Sequence, residues 1–243
     1  AGGQRNAALD PAPAQAVELS VPDSKLEYVP SGKGCLRFIH IPKTAGTSIE
    51  MAMQSARKAH PDDPRYAGWG MNDPGLNCTA WGRGDTCKLR SGKDCSRWHV
   101  PPGEDLAIER GYNACDTFCV ARHPVSRAVS EFHHEHHGVL ACVMDEFRKF
   151  VDEGLRLKDT PAPFRIDCHH VPQKEYIKAC RHVLRYESLH EDFHRLMRAY
   201  NLSVELTGHQ LPGITCKNWT IPDDVLAKIH TWQSDDMALL GYT

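Results

Sequence analysis

The stretch FIHIPKTAGTSIE, residues 38–50, is the part of the sequence that best predicts the fold of this chain. Its apolar beginning, within residues 35–41, predicts a short buried strand that ends at Pro42. Residues 47–60 predict a helix, because they supply apolar positions at helical spacing and Pro61 follows them. A turn between a strand and a helix N-terminus presents free backbone N–H groups, so the stretch predicts an anion-binding loop in an α/β fold.

The side chains of this loop suit a phosphate group. Lys43 supplies a positive charge, and Gly46 lets the backbone approach a ligand closely. The hydroxyl donors are Thr44, Thr47 and Ser48. The lysine precedes the single glycine, so the spacing differs from the G-x-x-x-x-G-K-[ST] loop of nucleoside triphosphate-binding proteins. A short loop of this form favours one 5′-phosphate over a pair of β- and γ-phosphates.

A second strand–turn–helix unit carries another anion motif. DTFCVAR, residues 116–122, predicts a buried strand, and Pro124 begins a helix, since proline is tolerated in the first turn. Arg122 therefore lies at the carboxyl end of a strand, where open α/β sheets bind ligands. Ser130 follows eight residues later and adds a hydroxyl for the same phosphate, with Arg127 as a further donor.

The rest of the pattern predicts one α/β domain. Residues 61–115 are rich in Gly, Pro, Asp and Cys and lack sustained periodicity, which predicts a long insert. Strands separated by helical segments favour a mainly parallel sheet with helices on both faces. The other predicted elements are helices at 124–137, 143–157, 171–179 and 222–240, and a strand at 182–188 leading into a helix that ends near residue 200.

Composition limits the classes of partner. The 29 basic and 31 acidic residues nearly balance, so no overall positive charge draws this chain of 243 residues to nucleic acid. Residues 1–33 begin with an Ala- and Pro-rich stretch and predict a poorly ordered linker or stem. No run of about 18 apolar residues is present, so we expect membrane attachment only through an anchor upstream.

The chain contains ten cysteines, for which disulfides, a zinc site and scattered core thiols are the alternatives. No pair has the C-x2-C spacing of a zinc ribbon, and the cysteines crowd between Cys78 and Cys119, in the least regular stretch. We therefore favour disulfides formed in an oxidising compartment, with a connectivity that the spacing does not reveal. Glycosylation sequons point to the same compartment, at Asn77, Asn201 and Asn218.

The pair IPKTAGTS and RHPVSRAVS resembles the 5′-phosphosulfate and 3′-phosphate motifs of sulfotransferases that use 3′-phosphoadenosine 5′-phosphosulfate (PAPS). It is most similar to the Golgi carbohydrate sulfotransferases of the heparan sulfate 2-O and 6-O branches. The resemblance covers roughly residues 35–242, with weaker likeness in HVLRYESLHEDFHRLM and in the last helix. It implies a P-loop-like catalytic domain at residues 34–243 with a central parallel sheet, a place in the Golgi lumen, and no metal.

The resemblance also implies roles for individual residues. Lys43 would contact the bridging and sulfonate oxygens of PAPS, and Arg122 with Ser130 would bind the 3′-phosphate. In GITCKNWT, Lys217 and Asn218 are weaker candidates in a loop that closes over the cofactor. The residues that would hold the 5′-phosphate are Thr44, Ala45, Gly46, Thr47 and Ser48.

Sulfonyl transfer needs a base that removes the proton of the acceptor hydroxyl. His99, in CSRWHVPP, is our candidate, because histidine has a suitable pKa and the family places a catalytic histidine in this interval. Glu50 and His40 are the alternatives. We expect the acceptor to be a glycan hydroxyl, with a protein tyrosine or a small metabolite as alternatives, and a nucleotide kinase or phosphate-binding module is the rival class.

The histidine-rich stretch HHEHHG, residues 133–138, is the other place where the sequence suggests binding. It does not match the H-E-x-x-H zinc motif, so we expect no metal there. It follows Ser130 on the same predicted helix. His134 and His137, together with Glu50, are therefore candidate contacts to the acceptor.

Overall fold

The computed structural model describes residues 27–136, 138–160, 164–206, 216 and 219–242. Its centre is a parallel sheet of three strands in the order β1–β4–β5, formed by β1 (Leu36–Phe38), β4 (Asp116–Ala121) and β5 (His182–Arg185). Phe38 lies opposite Phe118, and Phe118 opposite His182. The described chain is thus an α/β protein, as expected, although its parallel sheet is small.

The helices surround this sheet, and four of the eight described helices begin and end within two residues of their predicted bounds. Proline occupies the first turn of the third helix, and the third and second helices are capped at their N-termini by the side chains of His123 and Asp105. The helices are α1 (Gly46–Ala59), α2 (Leu106–Asn113), α3 (Pro124–Glu135), α4 (Met144–Leu157), α5 (Lys174–Ile177), α6 (Leu189–Ala199), α7 (Asp223–Trp232) and α8 (Ser234–Leu240).

The single closing helix predicted at 222–240 is wrong, because the chain turns at Gln233 between α7 and α8. The turn lets the buried Asp236 accept hydrogen bonds from the backbone N–H groups of Gln173 and Lys174, at 2.8 and 2.9 Å. The helix predicted at 171–179 is shorter than expected, with α5 reduced to Lys174–Ile177. A continuous closing helix would lose these two hydrogen bonds, which satisfy both the buried carboxylate and the backbone N–H groups at the start of α5.

Both faces of the sheet are buried, which explains the apolar runs of its strands. Phe38, Phe118 and Val120 pack with α1 and α6 on one face. Ile39, Ile41 and Cys119 pack on the other face, against residues of the insert and of the segment around Tyr176. A further cluster joins α3, α4 and α7 beside the sheet.

The insert at 61–115 is more regular than we predicted. It contains a hairpin of β2 (Thr86–Lys88) and β3 (Asp94–Ser96), and helix α2 follows it. These elements are too short to reveal themselves by periodicity. The hairpin is anchored in the core by cysteines, since Cys87 lies opposite Cys95 and both are buried, whereas α2 contributes Ile108 and Tyr112 to the same core cluster.

All ten cysteines form disulfides, so the favoured interpretation is confirmed and no cysteine is free to bind zinc. Five disulfides are typical of proteins from an oxidising compartment, in agreement with a secreted or lumenal protein. Within the described ranges no helix is long and apolar enough to cross a membrane. The pairs are Cys35–Cys115, Cys78–Cys87, Cys95–Cys168, Cys119–Cys180 and Cys142–Cys216.

The end of the predicted linker belongs to the domain. Tyr28 is buried in the core, edge-on to the ring of His182. The backbone N–H of Ser31 donates to Asp116 at 2.7 Å, and Lys33 donates to two backbone carbonyls. Tyr28, Ser31 and Lys33 therefore pack against the domain that we predicted to begin at residue 34.

Candidate active site

The carboxyl ends of the three parallel strands line one cavity of about 640 Å³. The turn after β1 contributes Ala45 and Ser48, and the end of β4 contributes Arg122 and Ser126. The segment after β5 contributes residues 186–191, including Tyr186. This is the edge at which open α/β sheets bind ligands, and residues of both predicted anion motifs line it.

The backbone of the loop after β1 is strained in a way that suits anion binding. Lys43 and Ala45 have positive φ angles, 67° and 75°, which are rare for residues with a side chain. The first hydrogen bond of α1 runs from Ile49 to Ala45, and no side chain caps the helix. The backbone N–H groups of residues 46–48 therefore have no acceptor within the described chain and can bind an anion.

Two residues of the loop have roles that differ from those predicted. The hydroxyl of Thr44 is buried and donates to the carbonyl of Ile41 at 2.8 Å, so it stabilises the loop itself. Gly46 lies against the ring of His40, and an added Cβ would come within 1.9 Å of His40 Nε2. Position 46 therefore requires glycine because the ring of His40 packs beneath the loop. This reason is separate from the close approach of a ligand to the backbone.

We expect Gly46→Ala to lower the free energy of unfolding by about 1–3 kcal/mol, because the methyl group overpacks against His40. Chemical denaturation under non-reducing conditions measures the effect. The matched control is Gly103→Ala, since Gly103 is exposed and an added Cβ there meets no atom within 4 Å. Equal stability of the two variants would contradict the packing of His40 against the loop.

Two cations at this edge have no ion-pair partner among the described residues. Arg122 lines the cavity, its guanidinium lies 4.1 Å from the ring centroid of Tyr186, and its buried Nε atom has no hydrogen-bond partner. Its terminal nitrogen donates to the carbonyl of Lys43 at 3.2 Å, which ties the two motifs together. Burial lowers the pKa of Arg122, as expected of a cation that lacks an anion.

Lys43 is the second such cation, and its environment disfavours the charge. Burial lowers the pKa of its ammonium group, and the charges of Arg122 and Arg127 lower it further, although Glu131 opposes them. An anion bound between Lys43 and Arg122 would relieve this cost. The two side chains are therefore suited to a ligand with negative charge.

Arg127 does not have the ligand role that we suggested for it. It is buried, and its guanidinium donates to the carbonyls of Pro42, His169 and Val171 at 2.8–3.0 Å. It joins the loop after β1 to the segment after residue 168. Ser126 lines the cavity, whereas Ser130 lies one turn further along the same face of α3.

His99 is buried and has a carboxylate partner. Its Nδ1 atom lies 2.8 Å from Asp167 Oδ2, and its Nε2 atom has no hydrogen-bond partner among the described residues. Burial lowers the pKa of His99, with partial opposition from the bond to Asp167, and thereby favours the neutral ring. A neutral imidazole with Nδ1–H bound to a carboxylate can accept a proton at Nε2.

His99 is joined to the anion loop through neighbouring rings. Its centroid lies 4.6 Å from that of His40, the histidine beneath Gly46, and 4.9 Å from that of His169. His169 Nδ1 lies 3.0 Å from Glu131, whose charge acts on Lys43. The sequence-predicted base and the sequence-predicted lysine therefore belong to one connected group of side chains.

Three groups of side chains in this region place metal-type ligand atoms within 4.8 Å of one another, and they share His169 or Glu131. The carboxylates already bind the adjacent imidazoles: Asp167 binds His99, Glu131 binds His169, and Glu135 binds His170. We interpret the groups as hydrogen-bonded pairs and assign no metal to them. The groups are His99, Asp167 and His169; Glu131, His134 and His169; and Glu131, Glu135 and His170.

The remaining predicted residues are placed differently. Glu50 is buried and accepts from His40 Nδ1 at 2.7 Å and from the backbone of Met71, so it faces the interior. His134 is exposed on α3, stacked on His169 with centroids 4.9 Å apart. His137, Lys217 and Asn218 lie outside the described residues.

Sequence reasoning missed the contribution of the third strand and the partner of the base. Tyr186 and Glu187 line the cavity after β5, and a strand that ends in a polar YES segment was the available signal. Glu187 is held in place by the backbone of His123 and the hydroxyl of Tyr242. Asp167 had no signal, because it is 68 residues from His99 in the sequence.

Comparison with known proteins provides no assignment, since no family model, curated protein or solved structure matches this chain.

Proposed function

We propose that this protein is a PAPS-dependent sulfotransferase that transfers a sulfonate group to a hydroxyl of a carbohydrate. The observation that carries the proposal is the pair of cations Lys43 and Arg122, which lie at the carboxyl ends of adjacent parallel strands and have no ion-pair partner among the residues that the structure describes. Two anion sites at one sheet edge suit a nucleotide that carries phosphate groups on both its 3′ and 5′ positions. The resemblance of both motifs to the sulfotransferases supports the same assignment.

The cavity offers partners for each part of the nucleotide. Free backbone N–H groups of residues 46–48 and the hydroxyl of Ser48 suit the 5′-phosphate. Arg122 suits the 3′-phosphate, with the hydroxyl groups of Ser126 and Ser130 on the same helical face. Tyr186 stacks on Arg122 and orients its guanidinium. PAPS supplies the sulfonyl group when it is bound.

The protein residues then have distinct tasks in the transfer. His99 Nε2 accepts the proton of the acceptor hydroxyl while the acceptor oxygen forms its bond to sulfur. Lys43 neutralises the charge that develops on the 5′-phosphate oxygen as the old sulfur–oxygen bond breaks. The products are the sulfated acceptor and adenosine 3′,5′-bisphosphate. Positioning and charge stabilisation are expected to dominate, as in phosphoryl transfer.

We extend the proposal to the fold of the domain, its compartment and its need for a metal. We infer a P-loop-like sulfotransferase domain whose parallel sheet places the donor at its carboxyl edge. The disulfides suit a lumenal enzyme, and the resemblance specifies the Golgi lumen. Turnover is proposed to need no metal, because Lys43 supplies the positive charge for the leaving 5′-phosphate and Arg122 the positive charge for the 3′-phosphate.

The first test is binding of adenosine 3′,5′-bisphosphate, measured by titration calorimetry. We expect saturable binding, and we expect Arg122→Ala to weaken it about 10- to 150-fold, the value of a charge-assisted hydrogen bond of about 1.5–3 kcal/mol. Adenosine 5′-monophosphate is the matched control ligand. It lacks the 3′-phosphate, so its affinity should change little in the same variant.

Binding and transfer measurements distinguish a sulfotransferase from a nucleotide kinase and identify its acceptor. Absence of bisphosphate binding by the unaltered protein would remove the proposed function. Tighter binding of ATP than of the bisphosphate would favour a nucleotide kinase. Sulfonyl transfer from radiolabelled PAPS to a panel of glycans, tyrosine peptides and small phenols then identifies the acceptor class.

A further inference from the structure

Asp167 lies in a short turn with an unusual backbone. Ile166, Asp167 and Cys168 have consecutive positive φ angles of 49°, 55° and 63°. Isolated residues adopt this left-handed conformation at a cost, and three in succession persist only where the surroundings impose it. Such strain is concentrated at functional sites, so the contacts that impose this conformation and the side chains that the turn positions bear on function.

The surroundings that impose the turn are contacts with the insert. A disulfide joins Cys168 to Cys95 of β3. The next residue of that strand, Ser96, binds Asp167 twice: its backbone N–H donates to one carboxylate oxygen and its hydroxyl to the other at 2.8 Å. The buried hydroxyl of Tyr176 lies 2.8 Å from the carbonyl of His99 and 3.3 Å from that of Cys168. The turn and the segment carrying His99 are thus fastened to each other.

We propose that Asp167 is the positioning residue for His99, and that the Cys95–Cys168 disulfide holds it there. This inference rests on the proposed function, in which His99 is the base. Asp167 accepts the Nδ1–H of His99 at 2.8 Å, which selects the tautomer whose Nε2 carries the free electron pair. Its negative charge also stabilises the imidazolium that forms when Nε2 takes the acceptor proton.

The other groups around His99 do not duplicate this role. The ring faces His40 on one side and His169 on another, and Glu50 acts on it from beyond His40. His40 binds Glu50, and His169 binds Glu131, so each neighbouring imidazole has its own carboxylate. Asp167 alone among the described residues binds a nitrogen of His99.

Asp167→Asn tests the inference with little disturbance, because asparagine has the same shape and also tolerates left-handed backbone. We expect kcat for sulfonyl transfer to fall about 10²- to 10⁴-fold. KM for the acceptor and Kd for adenosine 3′,5′-bisphosphate should change less than about threefold, since Asp167 does not line the cavity. The exposed Asp159 supplies the control variant, Asp159→Asn, which should keep full turnover.

The disulfide is tested by a matched pair of double variants. Cys95→Ser/Cys168→Ser and Cys35→Ser/Cys115→Ser open loops of similar sequence separation, 73 and 80 residues, and so lose comparable stability. We expect a fall in kcat, measured at saturating PAPS, of at least about tenfold for the first variant only, because the second disulfide lies at the opposite end of the sheet.

The tautomer of His99 provides a readout that needs no turnover. In protein labelled with ¹⁵N-histidine, the His99 signals are assigned by their loss in His99→Gln. We expect Nδ1 to be the protonated nitrogen in the unaltered protein and its proton signal to shift or vanish in Asp167→Asn. An unchanged His99 signal in Asp167→Asn would overturn the inference even if the protein had another activity. Full turnover of Asp167→Asn would overturn it while leaving the proposed function intact.

Discussion

Lys43→Ala is expected to lower kcat for sulfonyl transfer about 10²- to 10³-fold, the effect of removing one donor that stabilises charge in a transition state. Lys43 is held at the anion loop with its ammonium partly buried and without an ion-pair partner in the described chain, and burial lowers the pKa of that group. The negative charge of a leaving 5′-phosphate would give the Lys43 ammonium group the ion-pair partner that it lacks in the described chain. The effect should therefore appear mainly in turnover.

The readouts are kcat with PAPS and Kd for adenosine 3′,5′-bisphosphate. The bisphosphate lacks the sulfonate, so its affinity should fall much less than turnover does. Lys58→Ala is the control, because Lys58 is exposed in the last turn of the same helix that begins after Lys43. Equal losses of turnover and bisphosphate affinity in Lys43→Ala would mean that Lys43 serves only to bind the nucleotide.

His99→Ala should reduce turnover about 10²- to 10⁴-fold and leave bisphosphate affinity within about threefold of the unaltered protein. His99 is not among the residues that line the nucleotide cavity, yet it is connected to the loop through His40. The control is His194→Ala, an exposed histidine on α6. A His99→Ala variant that retains turnover would remove His99 as the base and bring His169, the neighbouring imidazole, into consideration.

The pH dependence of the same reaction follows from the protonation state that a base needs. His99 must be neutral to accept a proton, so turnover should rise with pH through its pKa and then level off. Burial lowers that pKa, and the acidic limb of the rate profile should therefore lie below about 6.5, the value for an ordinary histidine. In His99→Ala this limb should be absent from the residual rate.

The agreement between sequence and structure is best where signals are local. Strand β4 and helices α1, α3 and α4 agree with their predicted ranges to within a residue or two, because a buried strand and an amphipathic helix each leave a periodic pattern. The hairpin and α2 in the insert were missed, since both are short and the hairpin is held by disulfides that leave no periodic pattern.

The residues of the candidate site also differ in whether a local signal in the sequence predicts them. Lys43 and Arg122 could be predicted to lie at one edge of the sheet because each follows a buried strand, and adjacent parallel strands bring their carboxyl ends together. Thr44 was assigned to a ligand although it binds Ile41, because a residue type does not reveal the direction of its side chain. The strained turn at Asp167 left no trace in the sequence, since its conformation is imposed by residues of β3.

The α/β class, the two anion motifs and the formation of disulfides can be predicted from the amino-acid sequence, because strand ends, helix starts and cysteine number are properties of short segments or of composition. The pairing of the cysteines, the packing of His40 beneath Gly46 and the contact of Asp167 with His99 are visible only in the folded domain. Each of these contacts depends on distances between residues far apart in the chain or on the directions of side chains, and both are set by packing of the whole domain.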